Sequence, residues 1–127
     1  MRTILLILLT ATTATLYAQP NFSAVVTAIK AGNTMEISNY MDANVEVTVE
    51  DNDGSYDKGQ AISVISSFFQ KNAPNSCSLV HSGSARDGAS YYCIGNLSAG
   101  GNKYRVYIFF KKVGGNYLIQ EMRFEEE

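Results

Sequence analysis

Three turn signals in the C-terminal half constrain this chain more than any other feature. Asp87-Gly88, Ala99-Gly100-Gly101-Asn102 and Gly114-Gly115-Asn116 separate four segments rich in β-branched and aromatic residues: Cys77 to Ser84, Ala89 to Leu97, Tyr104 to Lys112 and Tyr117 to Phe124. Glycine and asparagine reach the positive φ that tight hairpins need, so each signal joins neighbouring strands antiparallel. The result is a four-stranded meander. Such a sheet must bury one face, and the residues before it have to supply the cover.

Those residues read mainly as helices. Phe22, Val25, Val26 and Ile29 recur at helical spacing, with Gly32 where the helix would end. Asn33 with Glu36 forms a capping box for a second helix that buries Ile37, Tyr40 and Met41. Val45, Val47 and Val49 alternate with Glu46, Thr48 and Glu50, the pattern of a half-buried strand. Asp51 to Ser55 is turn chemistry, with room for a short strand. Its carboxylates suggest a calcium loop, but the glycine follows the second aspartate directly and no closing glutamate is present, which favours a plain turn. Asp57 with Gln60 opens a third helix whose Ala61, Ile62, Ile65, Phe68 and Phe69 share a face, and Asn72 to Asn75 ends it. The expected class is α+β in one domain, ordered helix, helix, strand, turn or short strand, helix, four strands.

The N-terminus reads as an export signal, residues 1–18. Arg2 precedes the wholly apolar Ile4 to Leu9, and small residues lead to Tyr17-Ala18-Gln19. The apolar run is too short to span a bilayer and has no basic stop-transfer flank. Cleavage is expected after Ala18, with Ala14 as the alternative, leaving residues 19–127 in the periplasm or outside the cell and no membrane attachment. Loss of Arg2 lowers the formal net charge of −2 by one unit, and no basic patch remains for nucleic acid.

Cys77 and Cys93 would be free to pair in an oxidising compartment. A two-residue turn at Asp87-Gly88 sets Cys77 opposite Ser98 and Cys93 opposite Ser82, which places the two sulfurs on opposite faces of the sheet. A bulge would undo that parity, so pairing stays open.

The element order, with Ala31-Gly32-Asn33 between the first helices, Tyr40-Met41-Asp42 before the first strand and Phe68-Phe69 closing the third helix, resembles the nuclear-transport-factor-2-like (NTF2-like) superfamily. The resemblance implies a cone: helices held in a strongly curved, mainly antiparallel sheet with an open mouth. His81-Ser82-Gly83-Ser84, Tyr92 to Leu97, Tyr104 to Tyr107 and Leu118 to Arg123 are similar to the pattern of a family of small exported Bacteroidetes proteins of unknown function. That likeness implies export and supplies no activity.

Chemistry is sparse. His81 is the only histidine, so no metal site is expected, and no phosphate loop or nucleophile elbow is present. Enzymes of the resembled fold place an acid–base pair inside the cone, for which His81 and Asp42 are the candidates. The expected function is a small-molecule or peptide binding module without cofactor. A cofactor-free lyase or isomerase and a structural or interaction protein with a filled cone are the alternatives. The pocket would draw on Tyr40, Tyr92, Tyr104, Phe110, Gln120 and Met122, aromatic and amide groups of the kind that line ligand cavities. One parity of Tyr104 to Lys112 carries Tyr104, Val106, Ile108 and Phe110; the other carries Arg105, Tyr107, Phe109 and Lys111. A second copy covering Arg105, Tyr107 and Phe109 would explain aromatic rings on a face that should be polar.

Overall fold

The computed structural model describes residues 19–127, and the expected leader lies outside them. Its elements are α1 (Phe22–Lys30), α2 (Thr34–Ser38), β1 (Met41–Val49), β2 (Asn52–Asp57), α3 (Lys58–Lys71), β3 (Pro74–Ser84), β4 (Ser90–Ala99), β5 (Asn102–Val113) and β6 (Asn116–Glu126). Each helix opens on the residue type that can satisfy its free N–H groups: the side chains of Asn21, Asn33 and Asp57 accept from Ala24, Glu36 and Gln60 at 3.1, 3.1 and 2.8 Å. α1 stops at Gly32, whose φ of 65° few residues other than glycine adopt.

The six strands form one curved sheet, not closed, in the order β2-β1-β6-β5-β4-β3. All neighbours are antiparallel except β1 and β6, which run parallel. The expected meander is β3 to β6. The Asp51–Ser55 segment is more ordered than a plain turn: the chain reverses at Glu50 and Asp51, and Asp53 already pairs with Thr48 and accepts its hydroxyl at 2.7 Å. No helix among the described residues is long and apolar enough to cross a membrane.

The helices cover one face of the sheet, and the core lies between. As expected, Tyr104, Val106, Ile108 and Phe110 point inward. They meet Phe22, Val25 and Ile29 of α1 and Ile65, Phe68 and Phe69 of α3. Aromatic rings fill the concave side: Phe22 packs edge-on to Phe110 at 5.5 Å, and Phe68 touches Tyr104 at 5.0 Å and Phe124 at 5.1 Å. Edge-on packing of this kind adds about 0.5–1.5 kcal/mol per pair to the burial of each ring.

Two bulges change faces that simple alternation had assigned. In β3 the pairing runs Ser82 with Cys93 and His81 with Ile94 as expected, then slips past Val80, so Cys77 pairs with Leu97 instead of Ser98. One inserted residue reverses parity. Cys77 therefore shares the inner face with Cys93, a correction to the opposite-face expectation. Both thiols are free. In β6 the pairing with β5 slips between Glu121 and Ile119, leaving Gln120 as the extra residue. Ile119 turns inward in its place and is fully buried.

Candidate functional site

The two proton-transfer candidates are not brought together. His81 stands on the edge strand β3, pairs with Ile94 on the outer side, and its Nε2 lies 2.8 Å from the Tyr92 hydroxyl. Asp42 is on β1, where Gln120 Nε2 donates to it at 2.8 Å and the Ala43 N–H at 2.7 Å. The Gln120 bond first, then the Ala43 bond, holds its carboxyl below the usual range. Strands β6, β5 and β4 lie between β1 and β3. Four strand spacings are roughly 19 Å, far beyond the hydrogen-bond reach that acid–base partners need. The lyase or isomerase pairing is therefore corrected: these side chains serve separate local networks.

The six residues expected around a ligand also separate. Tyr104, Phe110 and Met122 are buried in the filled core. The Tyr104 hydroxyl donates to Asn72 Oδ1 at 3.2 Å, and Asn72 in turn donates to the Phe68 carbonyl, so this buried hydroxyl has its partner within the fold. Tyr92 lies on the outer face, its ring across the backbone of Gly83; a Cβ at that glycine would come within 2.7 Å of it. Gln120 is committed to Asp42 and borders a shallow outer cleft with Asn44, Phe109 and Lys111. Tyr40 lines a different surface cleft with Pro20, Asn39 and Tyr117. The proposed contact residues do share the outer side: Arg105 is exposed, and Tyr107 and Phe109 are half-buried, Tyr107 stacking on Tyr92 at 6.2 Å.

Two clefts were not foreseen. The first, of about 360 Å³, lies on the outer face and is lined by Glu46, Thr48, Asp53, Gly54, Ser55, Glu121 and Arg123. Glu46 and Glu121 are register partners across the parallel β1–β6 seam. Burial, then the hydrogen bond and charge of Glu46, push the Glu121 carboxyl above its usual range. No group of acidic, histidine or cysteine side chains among the described residues is arranged to hold a metal ion.

The second cleft, of about 310 Å³, opens between α3 and the β1–β2 hairpin. Val49, Tyr56, Val64 and Phe68 wall it, with Glu50, Asn52, Ser67, Lys71 and Asn72 at the rim. It is the cleft in which a core ring, Phe68, meets the surface. The signal for it was Tyr56 after Gly54: in strand geometry the ring folds back over the glycine, where any Cβ would collide with it. Reading that segment as a turn hid it.

Comparison with known proteins agrees with this geometry. The family described as a domain of unknown function, DUF4783, matches residues 22–125. A DUF4783 family protein from Bacteroides ovatus is 33% identical, with a TM-score of 0.78 over 86% of this chain and 96% of that one. One from Bacteroides uniformis is 29% identical, with a TM-score of 0.79 over 85% and 98%. An NTF2-like protein from Cytophaga hutchinsonii, 14% identical, has a TM-score of 0.62 over 83% and 91% and shares the fold. No functionally curated protein matches the chain. The chain belongs to the DUF4783 family and is built on the NTF2-like fold.

Proposed function

We propose that this protein is an exported binding module with no chemistry of its own, taking a small molecule or peptide segment with an apolar body and a polar end. The observation that carries the reading is the α3–β2 cleft, where four apolar walls meet a rim holding one cation, one carboxylate, two amides and a hydroxyl. Small-ligand sites have this make-up, mostly apolar with a few polar groups for orientation. Tyr56 and Val64 would grip the apolar body, and Lys71 would orient the polar end. The separation of His81 from Asp42 argues against catalysis.

Thermal-shift and native-mass screening of the purified protein against small amphipathic carboxylates and short peptides tests this. A hit should be lost in Val64→Trp, which fills the cleft, and kept in a variant at the Tyr40 cleft. Hits indifferent to Val64→Trp would refute it. Export is tested separately by the intact mass of protein recovered from the periplasm, expected to begin at Gln19. A second reading, an interaction protein, is favoured by the ring-filled concave side.

A further inference from the structure

The cleft between α3 and the β1–β2 hairpin has two opposite charges on its rim, each without an ionic partner. Val64, Ser67, Phe68 and Lys71 recur at helical spacing on one face of α3 and form one wall; Val49, Glu50, Asn52 and Tyr56 form the other. Lys71 is the last residue of α3 and Glu50 stands in the hairpin turn, yet they do not pair. Among the described residues the ion pair formed is that of Arg123 with Glu125.

Glu50 is held in place by a conformation that glycine would adopt more easily. Its φ is 57° at the first position of a two-residue turn, where such hairpins usually carry glycine, and among the described residues no other non-glycine residue has positive φ. Its N–H is fixed by the Phe124 carbonyl at 2.8 Å. Strain of this kind clusters where a side chain must stand in one place for a ligand. The two charges also share one end of the cleft. Lys71 closes α3 and Asn52, beside Glu50, opens β2, whereas Val64 lies seven positions back along the helix and Tyr56 four positions on along the strand, roughly 10 and 13 Å away. The Asn72 amide is already held between Tyr104 and Phe68. Behind Glu50 a second cleft adds Asp51, Asp53, Glu125 and Glu126, so the field on that side favours a cation. At about 310 Å³ the α3–β2 cleft is at the small end of the range for ligand sites, which suits a single residue-sized molecule better than a peptide strand.

We propose, resting on the reading that this cleft binds a small ligand, that the ligand is a free α-amino acid with an apolar side chain. Its ammonium meets Glu50, its carboxylate meets Lys71, and its side chain lies between Tyr56 and Val64. A singly charged molecule leaves one of the two rim charges unanswered, and a peptide terminus presents only one charge of the two.

Isothermal titration calorimetry of the purified protein with L-phenylalanine, 3-phenylpropionate and phenethylamine separates the head groups, since all three share one apolar body. L-phenylalanine should bind at or below the order of a millimolar, and removing either charge from the ligand should weaken binding by about threefold or more. Glu50→Asn, a residue that tolerates positive φ, should erase the preference for L-phenylalanine over 3-phenylpropionate. Lys71→Gln should erase the preference over phenethylamine. Circular dichroism checks that both variants are folded. Equal binding of L-phenylalanine and 3-phenylpropionate, with both lost in Val64→Trp, overturns the amino-acid inference and leaves the binding module standing. Binding of all three ligands that ignores Val64→Trp overturns both. A preference for L-phenylalanine that survives Glu50→Asn overturns the inference, and so does an L-phenylalanine titration without binding at that concentration.

Discussion

The two ends of the sheet are held by different means. At the β2 end the longest helix, 14 residues, packs Phe68 against Tyr104 and Phe124, and Asp57 is at once the last residue of β2 and the N-cap of α3. Strand, turn and helix there share residues, so none can loosen alone. At the β3 end α1 has 9 residues, the strand is irregular in two places, and its side-chain hydrogen bond to β4 is that of His81 with Tyr92. The lesson is that the two edges are secured differently: β2 shares its last residue with a helix cap, whereas β3 relies on a longer ladder to β4 and shows a neutral, partly apolar edge.

The largest expected effect tests the tight end. Phe68→Ala should destabilise the domain by about 3–5 kcal/mol in urea unfolding, because the cavity would remove contacts to both Tyr104 and Phe124. A cost near that of an exposed ring would break the comparison at once.

Asp57→Ala should cost about 1 kcal/mol, the usual value of a lost N-cap, and should shift protection from hydrogen exchange in β2 and α3 together. Loss of protection confined to α3 would show that the two elements are not coupled.

Smaller still is the expected gain from Glu121→Gln. The Glu121 carboxyl is raised in the folded state, so its ionisation disfavours folding above that raised value, and the penalty fades as the pH falls through it toward 4.5. The substitution should therefore stabilise the protein at pH 7 by about 0.2–1 kcal/mol, the scale of a like-charge cross-strand pair partly screened by solvent. The gain should vanish in acid. A gain independent of pH would point to packing instead of charge.

At the β3 end, His81→Ala should change stability by less than about 0.5 kcal/mol, since the ring is exposed and its partner Tyr92 keeps access to water. A cost matching that of Asp57→Ala would make the two ends equivalent.

What the sequence disclosed follows the same division by regularity. β4 and β5 pair without a slip from Ser90 with Lys111 to Ala99 with Asn102, and alternation alone assigned the inner residues of β5; Tyr92, expected in the pocket, pairs with Phe109 on the outer side. The NTF2-like order of elements, the caps of the second and third helices and the end of the first could be read from side chains and a glycine, but the second helix stops at Ser38, so Met41, expected on its buried face, is buried as the first residue of β1. Bulges could not be read. Val80 sits in a run that alternates plausibly either way, and the slip there moved Cys77 to the inner side; Gln120 looked like a polar intruder in the core because the extra residue it represents has no compositional mark. With Cys77 paired to Leu97 and Cys93 four positions away along β4, their Cα atoms are roughly 13 Å apart along the strand, beyond the roughly 7 Å that a disulfide spans. Alkylation and intact mass of the oxidised protein should find both free. The α3–β2 cleft was missed for a related reason: Gly54 and its flanking aspartates carry turn chemistry, and only pairing with β1 makes the segment a strand.

The parallel seam between β1 and β6 sets the order in which this protein can assemble. β1 is the first and β6 the last of the described strands, yet Val47 lies against Met122 and the Glu50 N–H reaches the Phe124 carbonyl at 2.8 Å. Until β6 is available, β1 has only the short β2 beside it and β5 has an open flank, so the helices have a divided sheet to pack on. Contacts so distant along the chain must wait for loop closure, which slows folding and keeps partial chains from settling early. Synthesis can therefore pass β5 with the chain still pliable, and a cut before Asn116 should leave a fragment that never gains a cooperative melt.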